Sequence, residues 1–203
     1  MKKGLTFVLA VMAFVSVAAP AAPVFFDDFN AENGGVGQLN YTGFAHWTVS
    51  DGTVDLIGNG FHDFLPGNGL YVDMDGSTGN AGKMITSAPI SLQAGTYALS
   101  YELAGNQRNT QQETVFVEVH VGLFSTSHSL AKDAPFTLFT QQFTLASAQD
   151  IAISFEGAGG DNIGMLLDNV KIEAISVVPT PGAILLGGLG TSLVGWLRRR
   201  RSL

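Results

Sequence analysis

The side chains in this chain that could carry chemistry are mostly carboxylates. In Leu166-Leu167-Asp168-Asn169-Val170-Lys171-Ile172, Asp168 shares strand parity with Leu166, Val170 and Ile172, while Asn169, Lys171 and Glu173 take the other face. A strand then turns the Asp168 carboxylate toward the core side. A buried carboxylate has to be paired, hydrogen-bonded or bound to a metal. Calcium, a hard cation that takes about six to eight oxygens, is the natural ion, and the segment Asp27-Asp28-Phe29-Asn30 could supply more of them. The plainer alternative is an Asp168 that accepts backbone N–H groups from a neighbouring loop. Asp73-Met74-Asp75-Gly76-Ser77 has the alternating acids and glycine of a calcium loop. It lacks the third acid and closing glutamate of an EF-hand, so a strand-end turn is expected there.

Sugar recognition is the other chemistry within reach. Tyr41, Phe44, Trp47, Phe61, Phe64 and Tyr71 cluster in the N-terminal half, and aromatic faces stack on sugar rings or simply fill a core. Trp47 is the strongest carbohydrate-binding candidate of the group. Arg108, in the polar loop Gly105 to Gln112, is the one basic residue in a long stretch. It could grip a carboxylate or a sugar, or decorate a solvated hairpin end. No catalytic residue is expected: there is no serine nucleophile elbow, no His-Glu-x-x-His and no Cys-His arrangement. His46, His62, His120 and His128 lack metal-ligand spacing, and a carboxylate pair for glycoside hydrolysis is not marked by any motif.

Charge narrows the partners. Six of the 10 basic residues lie at the chain ends (Lys2, Lys3 and Arg198 to Arg201), so the stretch between carries four against all 17 acids, a net charge near −13. Nucleic acid is excluded as a partner, because phosphate binding needs a basic surface. Hard cations fit. The chain has no cysteine, so its stability must come from a hydrophobic core, with or without metal, and not from disulfides.

The positioning elements read as strands. Val115, Val117, Val119 and Val121 alternate with Phe116, Glu118 and His120; Tyr97, Leu99, Tyr101 and Leu103 do the same; so do Ile151, Ile153 and Phe155. Period two with β-branched and aromatic residues marks half-buried strands. Further strands are predicted at Val24–Phe29, Phe44–Val49, Thr53–Ile57, Leu70–Met74, Met84–Ile90, Phe136–Leu145 and Gly164–Ala174. Asp51-Gly52, Asn59-Gly60, Pro66-Gly67-Asn68-Gly69 and Asp75-Gly76 supply turns between them. Many short strands without a long amphipathic helix predict an all-β jelly-roll β-sandwich over residues 22–177.

Both ends of the chain read as addresses. Met1-Lys2-Lys3, the apolar run Leu5 to Val17 and the small residues Ala18 to Ala22 make a secretory signal peptide, cleaved after Ala21. At the other end, Val178-Pro179-Thr180-Pro181 precedes 16 uncharged residues, Gly182 to Leu197, and then Arg198, Arg199, Arg200 and Arg201. As a helix the apolar run would reach about 24 Å. It spans a bilayer if the membrane thins and the arginines snorkel to the headgroups. The positive-inside rule keeps those arginines in the cytoplasm and the domain on the far side.

Proline pair, glycine-rich span and terminal arginines in this order resemble the PEP-CTERM sorting signal, here in a variant form with Thr180 where that family has Glu. The resemblance implies an exosortase-like membrane transpeptidase that cuts at Val178 to Pro181, export through the secretion machinery, and transient anchoring in the inner membrane with the domain in the periplasm. The final location it implies is the cell surface or extracellular matrix, alongside exopolysaccharide. A second resemblance covers the first and last strands. Acids just after the signal, together with Leu-Leu-Asp-Asn-Val-Lys-Ile near the domain's end, look like the galactose-binding-like jelly roll of many carbohydrate-binding modules. It implies a structural calcium on Asp168, with Asp28 as a looser match. The expectation is a non-catalytic exported protein that binds polysaccharide, with a jelly-roll hydrolase or lyase and a purely structural envelope protein as alternatives.

Overall fold

The computed structural model describes residues 22–78, 80–108, 111–120 and 122–177. The expected signal peptide and the sorting tail with its membrane segment at 182–197 lie outside the described residues. Among those described, no helix is long and apolar enough to cross a membrane. The chain forms β1 (Phe25–Asp27), β2 (Trp47–Ser50), β3 (Asp55–Gly58), β4 (Leu70–Asp73), β5 (Lys83–Thr86), β6 (Ile90–Leu92) and β7 (Gly95–Ala104). It continues with β8 (Glu113–Val119), β9 (Phe124–Leu130), β10 (Thr137–Leu145), β11 (Gln149–Ile151), β12 (Ile153–Ala158) and β13 (Leu166–Val177). One sheet runs β10-β7-β13-β4-β3 with β1 also on β13, the other runs β2-β5-β12-β8-β9, and β6 pairs with β11 separately. This is the jelly-roll β-sandwich that the alternation predicts.

Alternation explains the core. Tyr97, Leu99, Tyr101 and Leu103 of β7 face Val115, Val117, Val119 and Phe155 of the other sheet, all fully or almost fully buried. Tyr101 meets Phe155 edge-on with ring centroids 5.2 Å apart. A smaller apolar cluster lies outside the first sheet, where Ile57, Tyr71, Ala104 and Leu166 are covered by Phe61, Phe64, Leu65 and Phe136. The loop between β3 and β4 therefore lies on the sheet and does not hang free. Tyr71 holds it there. Its hydroxyl accepts the N–H groups of Phe64 (2.7 Å) and Leu65 (3.0 Å) and donates to Asp63 (3.1 Å), and burial pushes it up to about 12.

Two expectations need correction. Asp168 is buried but does not face the core between the sheets. It pairs with Glu102 on the outer side of β7, and Leu166 likewise pairs with Ala104. One extra residue is then inserted in β13 before Lys171 pairs with Ser100. This bulge at Asn169 (φ 51°) resets the parity, so Val170 and Ile172 turn inward although Asp168 does not. The bulge coincides with the point where β13 exchanges β4 for β1 along one edge.

Trp47 offers no face to a sugar, since it is 2% exposed. Its ring packs edge-on against Phe25 and Phe155 at 5.6 and 5.8 Å, and its indole N–H donates to Asp27 Oδ2 at 2.8 Å. The other Asp27 oxygen accepts the N–H of Phe29, which helps hold this buried aromatic at a positive φ of 54°. Substituting Trp47 by Phe leaves Asp27 Oδ2 without its donor. Guanidinium unfolding should show a loss of about 1–3 kcal/mol. Phe155→Ala, at the junction of the two sheets, should lose about 3–5 kcal/mol, whereas Phe116→Ala on the outer face should stay within about 0.5 kcal/mol of the parent.

Candidate functional site

The β3–β4 hairpin sets two acids directly opposite each other, Asp55 against Asp73. Like charges across a strand pair repel, and each acid is met by donors. Asp55 accepts the Asn40 N–H at 2.7 Å and the Ser77 hydroxyl at 2.9 Å. Asp73 Oδ1 accepts the N–H groups of Gly164 (2.8 Å) and Asp75 (3.1 Å). Its Oδ2 takes the guanidinium of Arg108. Burial still dominates, and pushes Asp73 up to about 7 against the pull of Arg108 and the two N–H donors.

Arg108 is fixed from several sides. It follows Gln107, whose φ is 60°, in a turn closed by Asn106 Oδ1 accepting the Arg108 N–H at 2.8 Å. Its side chain donates to the Asn106 and Asn162 carbonyls at 3.3 and 3.4 Å, and its Cζ stands 4.8 Å from the centre of the Phe64 ring. Around it opens a pocket of about 90 Å³ whose polar walls are Asp55, His62, Asp73, Ser77 and Asn162, with Leu39, Ile57 and Phe64 beside them. A cation, exposed polar side chains and one aromatic face in a shallow cup suit a hydroxyl-rich ring: hydroxyls can bond to His62, Ser77 and Asn162 and accept from the arginine, and the ring's apolar side can rest on Phe64. Arg108 is thus tied at the end of β4 by its contacts with Asp73, Asn162 and Phe64.

The second group of acids surrounds the β13 bulge. Asp168 is 2% exposed and its Oδ1 accepts the Asn169 N–H at 2.7 Å. Burial, then the charges of Glu102, Asp28 and Asp27, push it up to about 8 in spite of that bond. The charge of Asp28 thus acts on Asp168, and so does that of Glu102, which receives the Asn169 amide at 2.7 Å. Among the described residues no three acidic or histidine side chains converge closely enough to hold an ion by themselves.

Some of these residues left a trace in the sequence. Asp55 breaks the apolar run of a predicted strand, and an acid in a strand is the same signal that marked Asp168. His62, Ser77 and Asn162 sit in turns and meet only through the fold. Among the described residues the aromatics that do face solvent are Phe26, 48% exposed, and Phe116, 49% exposed; Phe116 is in register with Ser127 and Glu156 on the outer face of the second sheet, where Glu156 pairs with Lys83 at 3.0 Å.

No protein-family model and no curated protein matches the chain. Among solved structures, the N-terminal CBM22-1–CBM22-2 tandem domain of Paenibacillus barcinonensis Xyn10C superposes on 83% of this chain and 50% of its own, at 13% identity and a TM-score of 0.52. The CBM22-1 xylan-binding domain of the same protein covers 80% of this chain and 100% of its own, at 12% identity and a TM-score of 0.50. At such identities the likeness is one of fold: the domain is a jelly-roll β-sandwich of the kind these carbohydrate-binding modules have.

Proposed function

We propose that this is an exported, non-catalytic surface or extracellular-matrix protein whose jelly-roll domain binds polysaccharide at the Arg108 pocket, and whose C-terminal tail is processed by an exosortase-like enzyme. The observation that carries the binding site is the pocket itself, in which Arg108 is locked between Asp73, Asn162 and Phe64 beside open polar walls. The likeness to carbohydrate-binding modules supports the ligand class, and the two end segments, 1–21 and 178–203, motivate export and processing. A hydrolase or lyase would need two carboxyls open to substrate. Asp55 and Asp73 do face each other, but Asp73 is 1% exposed with both oxygens engaged, which favours binding over proton transfer.

A structural calcium belongs to the same reading. The donors around the bulge suit it: Asp168, Asp28 and Glu102 are hard oxygen ligands, and their mutual repulsion is what a divalent cation would relieve. Asp27 is already committed to Trp47 and Phe29. The calcium would draw its remaining oxygens from backbone carbonyls and water.

Two measurements test these proposals. On a glycan array, the full chain should bind at least one polysaccharide, and Arg108→Lys, which keeps the charge beside Asp73 but loses the planar fork, should weaken binding at least about tenfold. A chain that binds no glycan overturns the function, and loss on Phe116→Ala with Arg108→Lys unaffected moves the site to the second sheet. The second is a set of melting curves in chelator. A carboxyl whose folded pKa is raised binds its proton more tightly when folded, so stability present near pH 4 is lost as pH climbs toward about 8. The metal-free protein should lose at least about 1.4 kcal/mol over that range, the worth of one pKa unit. Asp73, pushed up to about 7, contributes to the same slope, so Asp168→Asn should reduce it without abolishing it, and calcium should flatten it in the parent. An identical slope in Asp168→Asn, or no effect of calcium, rules out a calcium on Asp168.

A further inference from the structure

The turn after β4 carries a carboxylate that the pocket does not use. Asp75 is fully buried. Its Oδ2 accepts the N–H groups of Gly160 at 2.8 Å and Asp161 at 3.3 Å. Its Oδ1 is, among the described residues, the buried side-chain polar atom left without a hydrogen-bond partner. An ionised oxygen in that position carries the full cost of its lost hydration, and no lysine or arginine among the described residues pairs with it.

The surroundings of Asp75 show what would relieve it. It shares a narrow crevice with Glu113, Thr114, Gly157, Gly159 and Met165 that is too tight for a water molecule. Glu113, at the start of β8, is buried as well and receives the Asn106 amide at 3.1 Å. Acceptors that line one crevice with no donor at Oδ1 leave a place for a positive ion. Calcium sits about 2.3–2.6 Å from its oxygens, closer than the roughly 2.8 Å of a water's hydrogen bonds, so it fits where water does not. Magnesium, which keeps several waters, does not suit a crevice that excludes them. The glycines let backbone approach this wall: a Cβ on Gly157 would stand 2.6 Å from the Met74 carbonyl oxygen.

We infer that Asp75 Oδ1 and Glu113 hold a calcium ion, with backbone carbonyls completing its shell, distinct from the acids around Asp168. Such an ion ties the turn after β4 to the start of β8 and to the glycine loop 157–164. Those segments carry or flank Asp73, Arg108 and Asn162. Calcium at this position therefore sets the walls of the Arg108 pocket, and does so whether or not that pocket binds a sugar.

The test is isothermal titration of calcium chloride into the chelator-treated full chain at fixed ionic strength, with melting curves in parallel, on the parent, Asp168→Asn, Asp75→Asn and Glu113→Gln. Asp168→Asn should still bind calcium and still melt higher with it. Asp75→Asn should lose that response, or weaken it more than about tenfold, yet melt in chelator at or above the parent, because the orphaned charge is gone. Glu113→Gln should lose the response too, and decides the matter alone if Asp75→Asn does not fold. The inference is overturned if Asp168→Asn binds no calcium, or if both Asp75→Asn and Glu113→Gln keep the parent's stoichiometry and affinity.

Discussion

A carboxylate taken out of water must be met by hydrogen or by metal, and most of this domain is arranged to satisfy that condition. Asp27, Glu32, Asp55, Asp73, Asp75, Glu113 and Asp168 are all buried, in a stretch with only four basic residues. Backbone N–H groups therefore do most of the work. Asp73 draws on its own turn and on the loop before β13, and Glu32 takes the Ala45 N–H with both oxygens, at 2.9 and 3.2 Å. Asp27, Glu32, Asp55, Asp73 and Asp75 thereby staple together segments distant in sequence, much as disulfides would in a chain that had cysteines. Of these buried acids only Asp73 is met by an arginine among the described residues, and that is where the pocket opens.

Much of the fold was legible because period-two alternation reports burial directly. The valines of β8 and the aromatic and leucine residues of β7 could face only one way. The stretch β9 was not read, since Ser125, Ser127 and Ser129 alternate with Thr126 and His128, and such a polar edge strand has no apolar signature. Met84–Ile90, predicted as one strand, ends at Thr86 and resumes as β6 at Ile90, because Pro89 cannot donate to a ladder.

The site was legible one residue at a time and illegible as a constellation. Arg108 stood out as a lone cation in a polar loop, and Asp168 as an acid in an apolar strand. What joins Arg108 to Asp73, Phe64 and Asn162 is the meeting of three loops at one end of the sandwich, which no local pattern encodes. The parity of Asp168 failed for a sharper reason: a single inserted residue inverts every inward and outward assignment beyond it, and Asn169 carries no mark in sequence beyond its tolerance of a positive φ. Trp47 misled because size and aromaticity suit a core as well as a sugar.

The antiparallel pairing of β1 with β13 also governs how the molecule is presented. Val24 donates to the Ile172 carbonyl, so the chain enters the domain beside the strand by which it leaves. Asp73, by contrast, pairs with Leu166 at the beginning of that same strand. Ile172, beside which the chain enters, lies six residues beyond Leu166, roughly 20 Å at strand rise, and the strand runs on to Val177. A tether attached through either terminus would hold the sandwich by one pole and leave the arginine cup at the other, turned outward like the mouth of a vessel held by its base.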